Sequence, residues 1–129
     1  MSALRVLVNA GPWLPVPPSG YGGIETVVAT LVPELRRIYG ESAVLATDVR
    51  EPDETDGLYQ QLDCMDAGAI AEAVKSHRAD TVYHLAALLS AVGERKPTLA
   101  YEVNLGGLFN VLEVARETKC AVFTPSSIA

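Results

Sequence analysis

The feature that most constrains this chain is a repeated change in the period of its hydrophobic pattern. Short apolar runs alternate with longer segments whose apolar residues return every three or four positions. Leu4 to Asn9 is a short run with β-branched residues, the mark of a buried strand. After a Gly- and Pro-rich stretch from Ala10 to Gly22, the residues Ile24, Val27, Val28, Leu31, Leu35 and Ile38 mark one face of a helix. Pro33 falls inside that helix and should kink it or weaken one turn. Gly40 is placed to end it.

The alternation continues to the last residues. Ala43 to Thr47 is a second strand closing on Asp48, Glu51 to Gly57 is a polar loop, and Tyr59 to Leu62 is a third strand. Asp66 can cap a helix carrying Ile70 and Val74. Thr81 to Leu85 is a fourth strand, and Pro97 suits the first turn of a helix. That helix would bury Leu99, Val103, Leu108, Val111, Leu112 and Ala115. Ala121 to Thr124 is a fifth strand. Strands joined by helices require crossover connections and a parallel sheet. Right-handed crossovers then predict an α/β, three-layer Rossmann-like fold with a five-stranded parallel sheet in the order 3-2-1-4-5. Residues 1–129 form one domain, long enough to bury about two thirds of the surface an unfolded chain exposes.

Such a sheet receives ligands beyond the carboxyl ends of its strands, at the switch between strands one and four. That confines the search to the loops after Asn9, at Asp48, at Asp63, after Leu85 and after Thr124. Gly20, Gly22 and Gly23 open the first helix, where glycine lets a phosphate approach backbone N–H groups. The compact G-x-G-x-x-G turn is absent, and the glycines also read as plain turn and cap residues. Asp48, followed by Val49, is placed to accept from a ribose diol or to cap its loop beside Arg50. Asp63 could receive an adenine amino group or cap the next turn. Leu85, Ala86, Ala87 and Leu88 would let a cofactor lie against backbone, while a lone strand histidine such as His84 reads as a packed residue. Ser126 and Ser127 follow strand five, yet none of Tyr21, Tyr39, Tyr59, Tyr83 and Tyr101 has a Lys four residues on. The Tyr-x-x-x-Lys acid/base couple is therefore missing.

The formal net charge of −6 and sequence pI of about 4.8 exclude a nucleic-acid partner held by counterion displacement. Leu85 to Val92 is the longest apolar stretch and is too short to cross a bilayer, so no membrane partner is expected. No signal peptide is visible at the start. Cys64 and Cys120 read as ordinary thiols of a reducing compartment, and the protein is expected to be cytoplasmic. No second His or Cys stands at ligand spacing from His84, so no metal is expected.

Two resemblances follow from longer runs. Leu31-Val32-Pro33-Glu34-Leu35 with Tyr39-Gly40, Val44-Leu45-Ala46-Thr47-Asp48-Val49-Arg50, the stretch from His84 to Glu94, Val103-Asn104-Leu105-Gly106-Gly107 and Pro125-Ser126-Ser127-Ile128 resemble the extended short-chain dehydrogenase/reductase family. The likeness is greatest to its L-threonine 3-dehydrogenase branch, relatives of the nucleotide-sugar epimerases, and runs over residues 30–129. It implies that Asp48 holds the adenosine ribose of NAD, that Asp63 and Cys64 flank the adenine, and that Leu85 to Leu88 lie along the cofactor. It also implies that Asn104 supports the cofactor and that Ser127 stands at the catalytic Ser or Thr position. Pro12-Trp13-Leu14-Pro15-Val16-Pro17-Pro18, Tyr21-Gly22-Gly23-Ile24-Glu25 and Val27-Val28, within residues 1–30, are similar instead to the N-terminus of retaining GT-B glycosyltransferases.

These readings together predict a truncated, chimeric Rossmann domain: a non-catalytic scaffold with weak NAD or nucleotide binding. The alternatives are an NAD-dependent dehydrogenase- or epimerase-like oxidoreductase and a glycosyltransferase fragment. An exposed fifth-strand edge and an uncovered last helix predict a homodimer.

Overall fold

The computed structural model describes residues 4–10, 23–51, 57–86 and 94–125. Five strands form one parallel sheet: β1 (Val6–Asn9), β2 (Val44–Asp48), β3 (Tyr59–Gln61), β4 (Thr81–His84) and β5 (Ala121–Phe123), in the order β3-β2-β1-β4-β5. This is the order expected from the alternating pattern. β1 is central, with Val6 opposite both Val44 and Thr81, and Asn9 opposite both Thr47 and His84.

The two faces are covered by different helices. Helix α1 (Gly23–Tyr39) packs Val28, Val32 and Leu35 on Val6, Val8 and Val44. Helix α2 (Ala67–His77) and helix α4 (Gly107–Thr118) cover the other face, with Ile70, Val74, Val111 and Val114 on Leu7, Leu45 and Val82. Asp66 caps α2 as expected, its Oδ1 accepting from the Ala69 N–H at 3.0 Å. Gly40 follows α1 at φ 104, a conformation open to glycine and strained for other residues.

Two sequence expectations need correction, the breadth of the buried face of α1 and the burial of the last helix. Helix α1 runs through Pro33 to Tyr39, ending at Gly40 as the sequence suggests. Pro33 lies on the exposed side, and Val27 and Ile38 lie outside too, at 49% and 58% exposure. The buried stripe is therefore narrower than the periodicity suggests. In the last helical stretch, α3 (Pro97–Tyr101) passes through a π-helical segment, Glu102–Gly106, into α4. A π turn inserts an extra residue and rotates the face that follows. Leu112, expected inside, is consequently 47% exposed, while Gly107, Val111, Val114 and Ala115 turn inward.

Gly107 marks the tightest packing on that face. A Cβ at this position would lie 2.6 Å from Cys64 Sγ. Its backbone is an ordinary helical one at φ −62, so glycine is needed here for space and not for conformation.

Buried polar groups close both ends of the sheet. At the amino end, His77 Nε2 lies 3.1 Å from the Val6 carbonyl and 3.0 Å from that of Ala43. Its Nδ1 faces Arg5 Nη2 at 3.3 Å, and Arg5 Nε donates to the His77 carbonyl at 2.6 Å. At the carboxyl end, the Thr47 hydroxyl is shared between Asn9 Oδ1 at 3.2 Å and the Val8 carbonyl at 3.3 Å. Asn9 Nδ2 then meets His84 Nδ1 at 3.2 Å. Each Nδ1 faces an N–H donor and must accept, so both rings are held neutral with the proton on Nε2. Burial lowers the pKa of His77 and pushes that of His84 down to about 4.

Two expectations follow. Unfolded histidine takes up a proton near pH 6.5 while these folded rings resist it. Their contribution is full above 6.5, falls as the pH drops, and is lost once the pH passes below the folded pKa. For His84 the loss between pH 6.5 and about 4 amounts to about 3 kcal/mol. Urea unfolding across that window should show stability rising with pH, and a flat profile would contradict the neutral rings. Gly107→Ala should destabilise by about 1–3 kcal/mol through overpacking. In a Cys64→Ala background the same change should become neutral or stabilising, because only its helix propensity remains.

Candidate functional site

The last residue of β2, Asp48, is 2% exposed although it carries a carboxylate. Its Oδ1 accepts from the Val49 N–H at 2.5 Å and from the Arg50 N–H at 3.4 Å. Its Oδ2 faces Arg50 Nε at 3.7 Å. The guanidinium of Arg50 lies over the Tyr59 ring, 4.7 Å from its centre. The Tyr59 hydroxyl donates to the Arg50 carbonyl at 2.5 Å and lies 3.3 Å from the Asp48 carbonyl. Gln61 Nε2 donates to the Val49 carbonyl at 2.9 Å. Asp48 thus caps its own turn beside Arg50, one of its two readings in the sequence, and it lies buried at the carboxyl edge of β2.

Beside it, the Thr47–Asn9–His84 row crosses the ends of β2, β1 and β4, at the switch point between β1 and β4. His84 Nε2 has no hydrogen-bond partner among the described residues. Leu85 and Ala86, just beyond β4, are buried on opposite faces of the sheet. Leu85 N donates to the Asn9 carbonyl at 2.9 Å, which ties this exit to β1.

In the loop after β3, Asp63 Oδ1 accepts from the Met65 N–H at 2.9 Å, so Asp63 caps the turn, one of its two readings in the sequence. Cys64 turns its side chain into the core at 5% exposure. Burial and the nearby Asp63 carboxylate push its thiol up to about 11, so it is protonated and unreactive at neutral pH. What Cys64 offers outward is backbone, and its carbonyl already accepts from Asn110 Nδ2 at 3.0 Å. Asn104 stands on the exposed side of the π-helical segment, in a shallow groove with Ala100, Tyr101 and Leu105.

Gly23 is the first residue of α1. Gly20, Gly22, Ala87, Leu88 and Ser127 lie outside the described residues. Among the described residues no group of His, Cys, Asp and Glu could hold a metal ion, and no helix is long and apolar enough to cross a membrane. Both cysteines are free.

Sequence reasoning missed Asn9 and Tyr59 as site residues. A polar residue closing the otherwise apolar Leu4–Asn9 run could have flagged Asn9. Tyr59 carried no such signal, since it meets Arg50 only because β3 lies against β2.

The profile of the NAD dependent epimerase/dehydratase family matches residues 29–129. An uncharacterised epimerase/dehydratase of Staphylococcus saprophyticus is 47% identical over 111 residues, covering 83% of this chain and 35% of that protein. Among solved structures, the L-threonine dehydrogenase of Clostridium difficile has a TM-score of 0.82 at 35% identity, covering 100% of this chain and 38% of that one. The UDP-glucose 4-epimerase of Thermus thermophilus, in complex with NAD, has a TM-score of 0.64 at 25% identity, covering 90% of this chain and 35% of that one. The chain therefore spans about a third of the length of these relatives. Because the Clostridium difficile enzyme also covers the first strand and helix, the glycosyltransferase likeness of residues 1–30, and with it the chimera, is left unsupported. With its parallel sheet in the order β3-β2-β1-β4-β5 and that profile running from residue 29 to residue 129, the chain belongs to the NAD dependent epimerase/dehydratase family.

Proposed function

We propose that this chain binds NAD, as the dinucleotide-binding portion of a dehydrogenase- or epimerase-like oxidoreductase. The observation that carries this reading is Asp48, a carboxylate 2% exposed at the carboxyl edge of β2. A carboxylate at that place suits the two hydroxyls of an adenosine ribose. Gly23, with Gly20 and Gly22 before it, would take the phosphates at the start of α1, where backbone N–H groups favour negative charge. Val49 and the turn at Asp63 and Cys64 would border the adenine. Leu85, Ala86, Ala87 and Leu88 would lie along the cofactor, and Asn104 would support it. Bound NAD supplies a hydride acceptor. The chain has no Tyr-x-x-x-Lys couple, so its role in this reading is to hold the cofactor, with Ser127 as the one candidate catalytic side chain. The L-threonine dehydrogenases, at 32–36% identity, lie nearer than the UDP-glucose 4-epimerases at 20–25%. That favours the dehydrogenase branch for the whole protein. This reading is better supported than a scaffold without function, and we place the protein in the cytoplasm, where free thiols persist.

We also propose self-association. Tyr101, Leu105, Phe109 and Leu112 recur at helical spacing and are 68%, 49%, 62% and 47% exposed. β5, an edge strand of the sheet, is mostly exposed as well.

Calorimetric titration with NAD should show saturable binding. Asp48→Asn, which keeps the side chain's shape, should weaken it about 10- to 100-fold, the worth of hydrogen bonds to a charged group. No binding by the unaltered chain would overturn the reading. In sedimentation velocity the chain should form dimers that Phe109→Glu dissociates, and a monomer at every concentration would refute self-association.

A further inference from the structure

We propose that NAD binding and self-association are linked, through the loop of residues 63–66 that seats on the π-helical segment. The inference rests on the proposed function and couples the bound dinucleotide to a second copy of the chain.

The loop that would border the adenine is also the loop that reaches the exposed apolar stripe. Cys64 turns inward, while Met65 is 43% exposed. Both press on the helical stretch at glycines. A Cβ on Gly107 would lie 2.6 Å from Cys64 Sγ, and one on Gly106 would lie 3.3 Å from Met65 Cε. The Asn110 amide donates to the Cys64 carbonyl at 3.0 Å and fastens the loop from the next turn. Inside the loop, Asp63 Oδ1 accepts from the Met65 N–H and the Asp63 carbonyl from the Asp66 N–H, both at 2.9 Å. These bonds make the four residues one unit. Met65 in turn lines a groove of about 550 Å³ with Tyr101, Leu105, Gly106, Phe109 and Asn110. Tyr101 and Leu105 also border the shallow groove of Asn104, the other residue placed beside the cofactor on this face.

A second copy is the occupant that this face fits. The exposed parts of Met65, Tyr101, Leu105, Phe109 and Leu112 amount to roughly 500 Å², taking about 200 Å² for each large side chain. A patch of that size marks an interaction site. Two copies together would bury roughly 1,000 Å², the lower bound for a specific pair. A two-fold pair needs a surface that complements itself, and this one carries both the groove and the projecting rings of Tyr101 and Phe109. Glu102 is the one charge among the described residues that line the groove, so burying it desolvates little charge. A contact this small is marginal, and its strength depends on whether Met65 is already in place. NAD against residues 63 and 64 would order the loop, and Met65 with it, before the second copy docks. The ordering then serves both events. Linkage makes the effect reciprocal, so the dimer must tighten NAD by the factor by which NAD tightens the dimer.

Sedimentation velocity gives the dimer dissociation constant without NAD and with NAD at saturation. Calorimetric titration gives the NAD affinity at chain concentrations below and above that constant. NAD should tighten the dimer at least about fivefold, and the dimer should bind NAD more tightly by the same factor. Cys64→Ala, which frees the loop from Gly107, and Asn110→Ala, which cuts its tie to α4, should each bring the ratio of the two dimer constants towards one. Thermal unfolding checks that both variants fold. The ratio is the readout, because a change confined to stability or to one site leaves it unaltered. If NAD binds but the dimer is no tighter with it, or the ratio survives both variants, the linkage is refuted while NAD binding stands. A chain that binds NAD yet stays monomeric would also refute it, and would assign the stripe to another partner. If NAD does not bind, the linkage and the NAD-binding reading fall together.

Discussion

The structure depends on β1 being paired on both edges. Val6–Asn9 are buried along their whole length, and each residue is matched in parallel register to one on β2 and one on β4. A strand in that position has no solvent-facing side, so its residues must be apolar or must find polar partners inside the protein. Val6 and Val8 meet α1, and Leu7 meets α2 and α4. Asn9 is the exception at the carboxyl end, and its amide is answered by Thr47 and His84 from the two flanking strands. The same central pairing creates the switch point, because the chain leaves β1 toward one side and returns on the other.

The site inherits its character from that crowding. At the edge of β2 a carboxylate is buried, and its charge is answered by the N–H groups of its own turn and by Arg50. Arg50 is held in turn by Tyr59 of β3. His84 is kept neutral by burial and by the amide that faces its Nδ1, so the charges among these neighbours are those of Asp48 and Arg50, which offset each other. In the proposed reading, a site built this way would recognise its ligand by hydrogen bonds and local charge balance.

Strand order, helix positions, the Asp66 cap and the location of Asp48 were all legible in the residues. The burial of the first helix was overestimated, because a 3.6-residue pattern describes a face and not what covers it. Val27 and Ile38 belong to the apolar face of α1 yet reach past the sheet into solvent. The last helix misled for a different reason. Its pattern was read across a π turn that no local propensity announces, and Leu112 was placed on the wrong side. The likeness of the first thirty residues to glycosyltransferases rested on the Pro12–Pro18 run, Tyr21–Glu25 and Val27-Val28, local motifs around a glycine-rich helix start that do not by themselves define a family.

Sequence by itself determined the succession of elements and hence the topology. Periodicity and turn residues are properties of neighbouring positions, and right-handed crossovers leave few ways to arrange them. Tertiary structure decided what each polar residue does. Arg50 meets Tyr59, Asn9 meets His84 and Cys64 abuts Gly107 across separations of 9, 75 and 43 residues. Hydrogen bonds, charge pairs and steric contacts act over a few ångströms in space, and only the packed sheet and helices bring these side chains that close.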